Sequence, residues 1–468
     1  MPSNMRYMFL TSLVVSSTYL YFYYAPYSSI SVHIYTSSSC DEYLPPMQCL
    51  KEYNDPCQTF IDWTLKSDNK TLHTKLEFSE FMFDIKSTME KSYIKIITYN
   101  KLNQSKLIGG DFWWMNVVGP SSFHVELKDN NNGTYESFFS FVEPGNYTVT
   151  VELIWSLCDG LRDPPSWWFK SGDEQGKFQK RGSLGVDTYI GKKKEFAFTI
   201  SESKTKKSLH NRKRNFVKFK RECQPINSPC GYWKNHQQFI TPHNPNIVCQ
   251  DNIKPPENST IWFYGDSMQL LTYRYFINKT LCKKFFKCGV SYNWNYPNPP
   301  SKGIFDNKDF NKSIILNSIG NVLLQKDMRQ RSSVFYVNFG VHILMAIPFK
   351  QAVDLLQSFV ELVQTLKSKL GENFPRIIWK TTTPPFRREY YKYNEDFRRF
   401  LTKQRMILWN TYCKEMMCRA NIPVIDVYYV TASFTLGAKD GLHFADHVYE
   451  NAMSAFESYV LNNNGYVE

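Results

Sequence analysis

No glycine-rich phosphate loop, no His and Cys set at metal-ligand spacing and no paired Cys-x-x-Cys occurs in the 468 residues. Neither a nucleotide-phosphate cradle nor a zinc site is therefore predicted, and no cofactor or metal is expected. No low-complexity tract is long enough to leave the chain disordered as a whole, and 42% hydrophobic residues is a globular composition. Acidic residues are the minority, 43 against 56 Lys and Arg, for a formal charge of +13. Much of the excess sits in Lys204–Arg221 and on no nucleic-acid-reading motif, so nucleic acid is not expected as a partner. The length exceeds one ordinary core and fits two domains plus a leader.

Basic residues are also missing between Arg6 and Lys51. Within that gap, Tyr7–Ala25 is an apolar, aromatic-rich run of about the minimum length that spans a bilayer as a helix. A positive residue before the run and none soon after favours a cytoplasmic N terminus. No A-x-A-like cleavage site follows, so an uncleaved signal anchor over residues 1–25 is expected, giving a single-pass type II membrane protein. Removal of the leader would instead give a secreted protein. Asn-x-Ser/Thr sequons stand at Asn69, Asn103, Asn132, Asn146, Asn258, Asn278 and Asn311, spread over both halves as in a chain that meets the glycosylation machinery. The 11 cysteines read as disulfides of an oxidising lumen, with one left over or used between chains. Secretory pathway, Golgi or cell surface, is the expected location.

Residues 26–65 read as a Cys-containing stalk. Lys75–Phe83 and Tyr93–Tyr99 alternate as strands, and Gly109–Trp155 places short alternating runs between Asn-Gly and Pro-Gly turns. That is the pattern of a β-sandwich over residues 66–200, immunoglobulin- or filamin-like in its turn phrases, closing with a strand at Glu195–Ile200. Residues 201–222 read as a basic linker. From 223 to 468 strands and helices alternate. Thr260–Tyr264, Ser333–Phe339, Arg376–Thr381 and Ile422–Tyr428 are predicted strands. Gln351–Leu370, Asn394–Cys418 and Ala445–Leu461 are predicted helices. The expectation is a three-layer, flavodoxin-like α/β domain with a parallel sheet, whose ligands bind beyond the carboxyl ends of the strands.

Gly265-Asp266-Ser267 stands at one such end, where a serine hydroxyl is exposed at the sheet rim beside a helix N terminus. Asp440-Gly441-Leu442-His443 follows the last predicted strand and precedes the final helix. A serine needs a histidine to take its proton and a carboxylate to orient that histidine, so Ser267, His443 and Asp440 are the candidate catalytic residues. Trp113, Trp114, Trp167 and Trp168 are either a carbohydrate-stacking surface or, more commonly for a sandwich, core. His342 either lines the site or is structural.

The serine of Gly-Asp-Ser and the late Asp-x-x-His resemble the GDSL/SGNH hydrolases. The plain G-x-N-D of that group is missing; Asn338-Phe339-Gly340-Val341-His342 stands in its place, and Gly320-Asn321 is a weak candidate for the intermediate glycine block. A strand ending in G-[IV]-H resembles the PC-esterase branch. With GGDFWW, the NNGTY turn and the Cys223–Cys230-Gly231-Tyr232-Trp233 stretch upstream, residues of roughly 70–465 resemble the neurexophilin and PC-esterase domain family. Arg274 lies further from Ser267 than that pattern suggests. The resemblance implies a serine-dependent O-acyl, chiefly O-acetyl, transferase or esterase acting on glycan hydroxyls, with an acyl donor such as acetyl-CoA possible. Its partners would be a glycan or glycoprotein substrate and the membrane, with a protein ligand for the sandwich possible. The alternative it leaves open is a non-catalytic surface ligand with a degenerate esterase domain.

Overall fold

Buried residues alternate with half-exposed ones along the early strands, as in Ser92–Ile97, where Ile94 and Ile96 point inward and Tyr93 and Lys95 outward. The computed structural model describes residues 71–165, 189–203, 226, 231–241, 259–277, 279–292, 310–386 and 399–462. The expected leader, the stalk and most of the basic linker lie outside the described residues, as do Trp167 and Trp168. The strands of the antiparallel half are β1 (Glu80–Asp84), β2 (Ser92–Ile97), β3 (Phe112–Val118), β4 (Ser121–Val125), β5 (Lys128–Asp129), β6 (Thr134–Phe139), β7 (Gly145–Trp155), β8 (Lys192–Ile200), β9 (Tyr232–Lys234) and β10 (Gln238–Ile240).

They form a four-stranded sheet, β1-β2-β6-β5, and a six-stranded sheet, β10-β9-β4-β3-β7-β8. Residues of both sheets, among them Ile94, Tyr135, Met115, Val117 and Val149, share one buried core, which is how two one-sided sheets satisfy their apolar faces. Strands β9 and β10 follow the basic stretch in sequence yet extend the six-stranded sheet, with Trp233 opposite Ser122. The sheet therefore draws strands from both sides of the boundary expected at residue 222. Lys75–Phe83 is strand only from Glu80; Lys75–Ser79 turns instead, with the Ser79 N–H bonded to the Lys75 carbonyl.

The second half contains β11 (Thr260–Gly265), helix α1 (Ser267–Ile277), α2 (Thr280–Lys284), β12 (Lys287–Tyr292), α3 (Lys312–Leu323), β13 (Val334–Asn338), α4 (Val341–Ala346), α5 (Phe349–Leu370), β14 (Arg376–Lys380), α6 (Lys403–Arg419), β15 (Val424–Ile425), α7 (Tyr428–Ala432) and α8 (Asp446–Asn462). The five strands lie in the order β12-β11-β13-β14-β15 and every pair is parallel. Side chains leave alternate faces. Ile261, Phe263, Val334, Tyr336 and Ile378 meet Phe276, Leu281 and Phe456 of α1, α2 and α8. Tyr264, Phe335, Val337, Ile377 and Trp379 meet Ile319, Leu355, Phe359 and Trp409 of α3, α5 and α6. Helices thus cover both faces, the three-layer α/β arrangement that parallel sheets require.

Three details differ from expectation. Ile422–Tyr428 is strand only at Val424–Ile425, because the Asp426 carboxylate and the Thr381 hydroxyl take the Tyr428 N–H and start α7 instead. The helix expected from Asn394 begins at Lys403 within the described residues, where the Thr402 hydroxyl caps it by accepting the Arg405 N–H at 3.0 Å. Strand β12 was not visible in sequence, since Lys-Cys-Gly-Val-Ser-Tyr has little apolar run; it docks beside β11 and holds one end of the Cys282–Cys288 disulfide.

Candidate active site

Strand β11 delivers Ser267 to the rim. Gly265 has φ 155°, and a Cβ there would stand 2.1 Å from the Asn338 carbonyl oxygen, so only glycine lets β11 leave the sheet against β13. Asp266 then starts helix α1. Its Oδ1 accepts the Met268 N–H at 2.9 Å, and its carbonyl accepts the Gln269 and Leu270 N–H groups at 3.0 Å each. Of the first-turn donors that a helix leaves without partners, the Ser267 N–H is the one these bonds do not use.

The other two candidates arrive on the loop between α7 and α8, which is closed on itself. The Lys439 N–H donates to the His443 carbonyl at 2.8 Å. Asp440 Oδ1 accepts the Leu442 and His443 N–H groups at 3.0 and 2.8 Å. Asp440 Oδ2 lies 2.6 Å from His443 Nδ1, and His443 Nε2 lies 2.8 Å from Ser267 Oγ. The structure brings together the three residues singled out in the sequence, 176 positions apart at the widest. Burial pushes the Asp440 carboxyl up, but the His443 and Leu442 N–H groups and the ring outweigh it and hold it down at about 2. An ionised Asp440 keeps the proton on Nδ1, leaving the Nε2 lone pair facing the serine hydroxyl. Ser267 and His443 are half-buried, so the pair is reachable from solvent.

Beneath the serine sits a feature the sequence did not announce. Lys380, at the end of β14 and 1% exposed, donates to the Met268 carbonyl at 3.1 Å and the Thr272 hydroxyl at 2.9 Å. Burial pulls its ammonium down to about 7, against the charge of Asp266, and burial raises the Asp266 carboxyl in turn. A lysine in an apolar strand reads in sequence as a rim residue, and nothing in RIIWKT signals that it turns inward under α1.

The residues expected to complete an oxyanion hole are distributed differently. Gly320 and Asn321 lie inside α3, where backbone N–H groups belong to the helix, and Asn321 is exposed. The Asn338 amide is committed to the Lys380 carbonyl at 2.8 Å and the Thr382 hydroxyl at 3.1 Å. Gly340 packs so closely that a Cβ would stand 2.5 Å from Trp409 Nε1. Gly265 pairs directly with Asn338, so Ser267 and Gly340 each lie two residues beyond paired positions on neighbouring strands. His342 is half-buried in α4, and Arg274 is exposed in α1. Trp113 and Trp114 are 4% and 3% exposed, core residues rather than a stacking surface.

A serine, imidazole and carboxylate in hydrogen-bonded series at the carboxyl rim of a parallel α/β sheet is the constellation of acyl-transfer enzymes of the hydrolase class. Solved structures to which the chain is similar include three named as esterases or acylhydrolases. A putative acylhydrolase from Bacteroides fragilis is 14% identical and covers 48% of this chain and 100% of its own, at a TM-score of 0.32. An aryl esterase from M. smegmatis is 13% identical, covering 43% and 98%, at 0.30. A carbohydrate acetylesterase from Sinorhizobium meliloti is 10% identical, covering 43% and 98%, at 0.29. No family model and no curated protein matches the chain. At such TM-scores the reading of the site rests on its own geometry.

Proposed function

We propose that the chain is a serine-dependent O-acyl, chiefly O-acetyl, transferase or esterase of the neurexophilin and PC-esterase kind, acting on glycan hydroxyls in the secretory pathway. The observation that carries the reading is the Ser267 Oγ to His443 Nε2 contact at 2.8 Å, with Asp440 behind the ring at 2.6 Å. His443 Nε2 takes the Ser267 proton as Oγ attacks the acyl carbonyl. The tetrahedral oxyanion faces the Ser267 N–H at the start of α1, with the Gly340 N–H one strand away as the candidate second donor. Collapse breaks the bond to the leaving group, which departs with the proton from His443 and leaves acyl-Ser267. A second hydroxyl, from a sugar or water, loses its proton to Nε2, attacks the acyl-serine and carries the acyl group away, and His443 returns the proton to Ser267 Oγ.

The compartment rests on separate observations. Asn103, Asn132, Asn146 and Asn311, the sequon asparagines among the described residues, are all exposed. Cys282–Cys288 is a disulfide, and Cys158 and Cys418 are also disulfide-bonded. Both fit a luminal domain tethered by the Tyr7–Ala25 segment, with an antiparallel sandwich ahead of the serine domain in the order the family resemblance implies. The test uses the purified luminal chain with p-nitrophenyl acetate and acetyl-CoA, with and without free glycan acceptors. Acetyl release or acceptor acetylation that disappears in Ser267→Ala supports the reading; no Ser267-dependent acetyl turnover with any donor sinks it.

A further inference from the structure

The loop that carries Asp440 and His443 is bracketed by residues buried against the antiparallel half. Ala438, two residues before Asp440, and Phe444, next after His443, share a core with Phe434, Val430 and Val448 of the α/β half and with Trp233 and Phe239 of β9 and β10. Trp233 is 1% exposed, lies edge-on to Phe434 at 4.9 Å and donates its Nε1–H to the Val430 carbonyl at 2.9 Å. Its own position is fixed by the ladder that puts it opposite Ser122 of β4. Two residues along the same strand, the His124 N–H donates to the Ser433 hydroxyl at 3.2 Å.

Phe386, packed against the same core, makes a second contact with the loop. The Phe386 N–H donates to the Gly441 carbonyl at 2.6 Å, inside the Asp440–His443 turn. The Phe386 ring packs edge-on to Phe444 at 5.7 Å and to Trp114 of β3 at 6.1 Å. Lys403 places its ammonium 4.0 Å from the Trp114 ring centre and 4.5 Å from that of Phe386, tying the two rings together. Trp113 and Trp114 are neighbours on one strand, yet Trp113 lies in the core of the antiparallel half and Trp114 in that of the α/β half, the period of two that a strand imposes.

We propose that the antiparallel half is a working part of the acyl-transfer site, with Trp233 as a positioning residue that, together with Trp114 acting through Phe386, holds the Asp440–His443 loop in register with Ser267. Trp233 touches neither the substrate nor the reacting atoms; it acts by fixing Phe434, Ala438 and Phe444 on both flanks of the loop. The need is physical. An imidazole must stay within hydrogen-bond reach of the serine, and a misplacement of about 1 Å costs on the order of a hundredfold in rate. Hydrogen bonds within the loop fix its shape but not its place above the sheet; the packed flanks supply that.

The proposal rests on the acyl-transfer reading, and its test separates the two. In the full luminal chain, hydrogen–deuterium exchange over residues 438–444 reads the clamp without requiring catalysis, and fluorophosphonate labelling of Ser267 across pH reads the chemistry. Trp233→Ala is expected to speed exchange of the Lys439 and His443 amides at least tenfold, leave α1 unchanged, and slow maximal labelling at least tenfold with little change in probe affinity. Trp233→Phe, which keeps the packing but not the Nε1–H, restores labelling to within threefold. Should Trp233→Ala fail to fold, Phe386→Leu provides the same readings. A folded variant whose loop exchange matches the wild type overturns the clamp. A wild type that never labels overturns the acyl-transfer reading, while the exchange result still decides the clamp.

Discussion

Asp440→Asn isolates the part of the site that geometry alone makes work. Asp440 receives two backbone N–H groups on Oδ1, at 3.0 and 2.8 Å, and faces His443 Nδ1 with Oδ2 at 2.6 Å. An asparagine in the same rotamer keeps Oδ1 as acceptor, so the turn survives. Its amide nitrogen, however, now faces Nδ1 and requires a lone pair there, which moves the ring proton to Nε2. That atom then offers Ser267 a donor where it needs an acceptor, and the reaction loses about 10³–10⁴ in rate, roughly 4–5.5 kcal/mol of barrier. Stability should barely change, because the Asp440 side chain is 47% exposed and a hydrogen bond so open to solvent contributes about 1 kcal/mol. The carboxyl is held down at about 2, so in the wild type Asp440 stays ionised at every pH well above that value. The assay is the second-order rate of fluorophosphonate labelling beside a thermal melt. Labelling within tenfold of wild type, with an unchanged melt, would refute the orienting role.

Other perturbations probe the surroundings of the site. Glu126, next after β4, is pushed up by burial to about 7, against the opposing pull of the Tyr429 hydroxyl. A folded state that holds its proton more tightly than the unfolded one is most stable below the ordinary carboxyl range and loses that stability as pH rises through about 7, here by roughly 3 kcal/mol. Glu126→Gln should flatten the melting temperature between mildly acidic and neutral pH, leaving the smaller slope from Asp129, which burial raises to about 6; an unchanged pH dependence contradicts the assignment. Arg405, fully buried, donates to the Leu161 and Arg162 carbonyls at 3.1 and 3.0 Å, to Asp163 at 2.6 Å and to the Leu344 carbonyl at 3.2 Å. Arg405→Met removes all of these bonds from a buried site, leaving Asp163 with only the Phe349 N–H at 2.7 Å among the bonds described, and should cost about 3–5 kcal/mol in urea unfolding; a loss under about 1 kcal/mol is incompatible with that role. Gly340→Ala forces a methyl against Trp409 and Thr382 and should cost about 1–3 kcal/mol, read as a lowered melting temperature.

Apolar strands flanked by turn residues were legible, because TIWFY, SVFYVNF and RIIWK have few other readings. So was the serine, since Gly-Asp-Ser after such a strand places a hydroxyl at a rim. What escaped was set by distant contacts. Asp426 looks like part of a strand until Thr381, 45 residues away, joins it in capping α7. Lys380 looks like a rim charge until Met268 and Thr272 appear above it. Tyr232–Lys234, lying past a basic stretch, gives no local sign that it will pair with Ser121–Ser122. Sequence separation hides such pairings because each depends on a partner strand rather than on local pattern.

The most direct measurement of the central claim is the mass of the active-site peptide after the luminal chain meets a fluorophosphonate. One phosphonyl adduct on Ser267 is expected, formed by wild type, lost in Ser267→Ala and slowed by orders of magnitude in His443→Ala. A correctly folded wild-type chain with no adduct on Ser267, or an adduct whose rate is indifferent to His443, would contradict it.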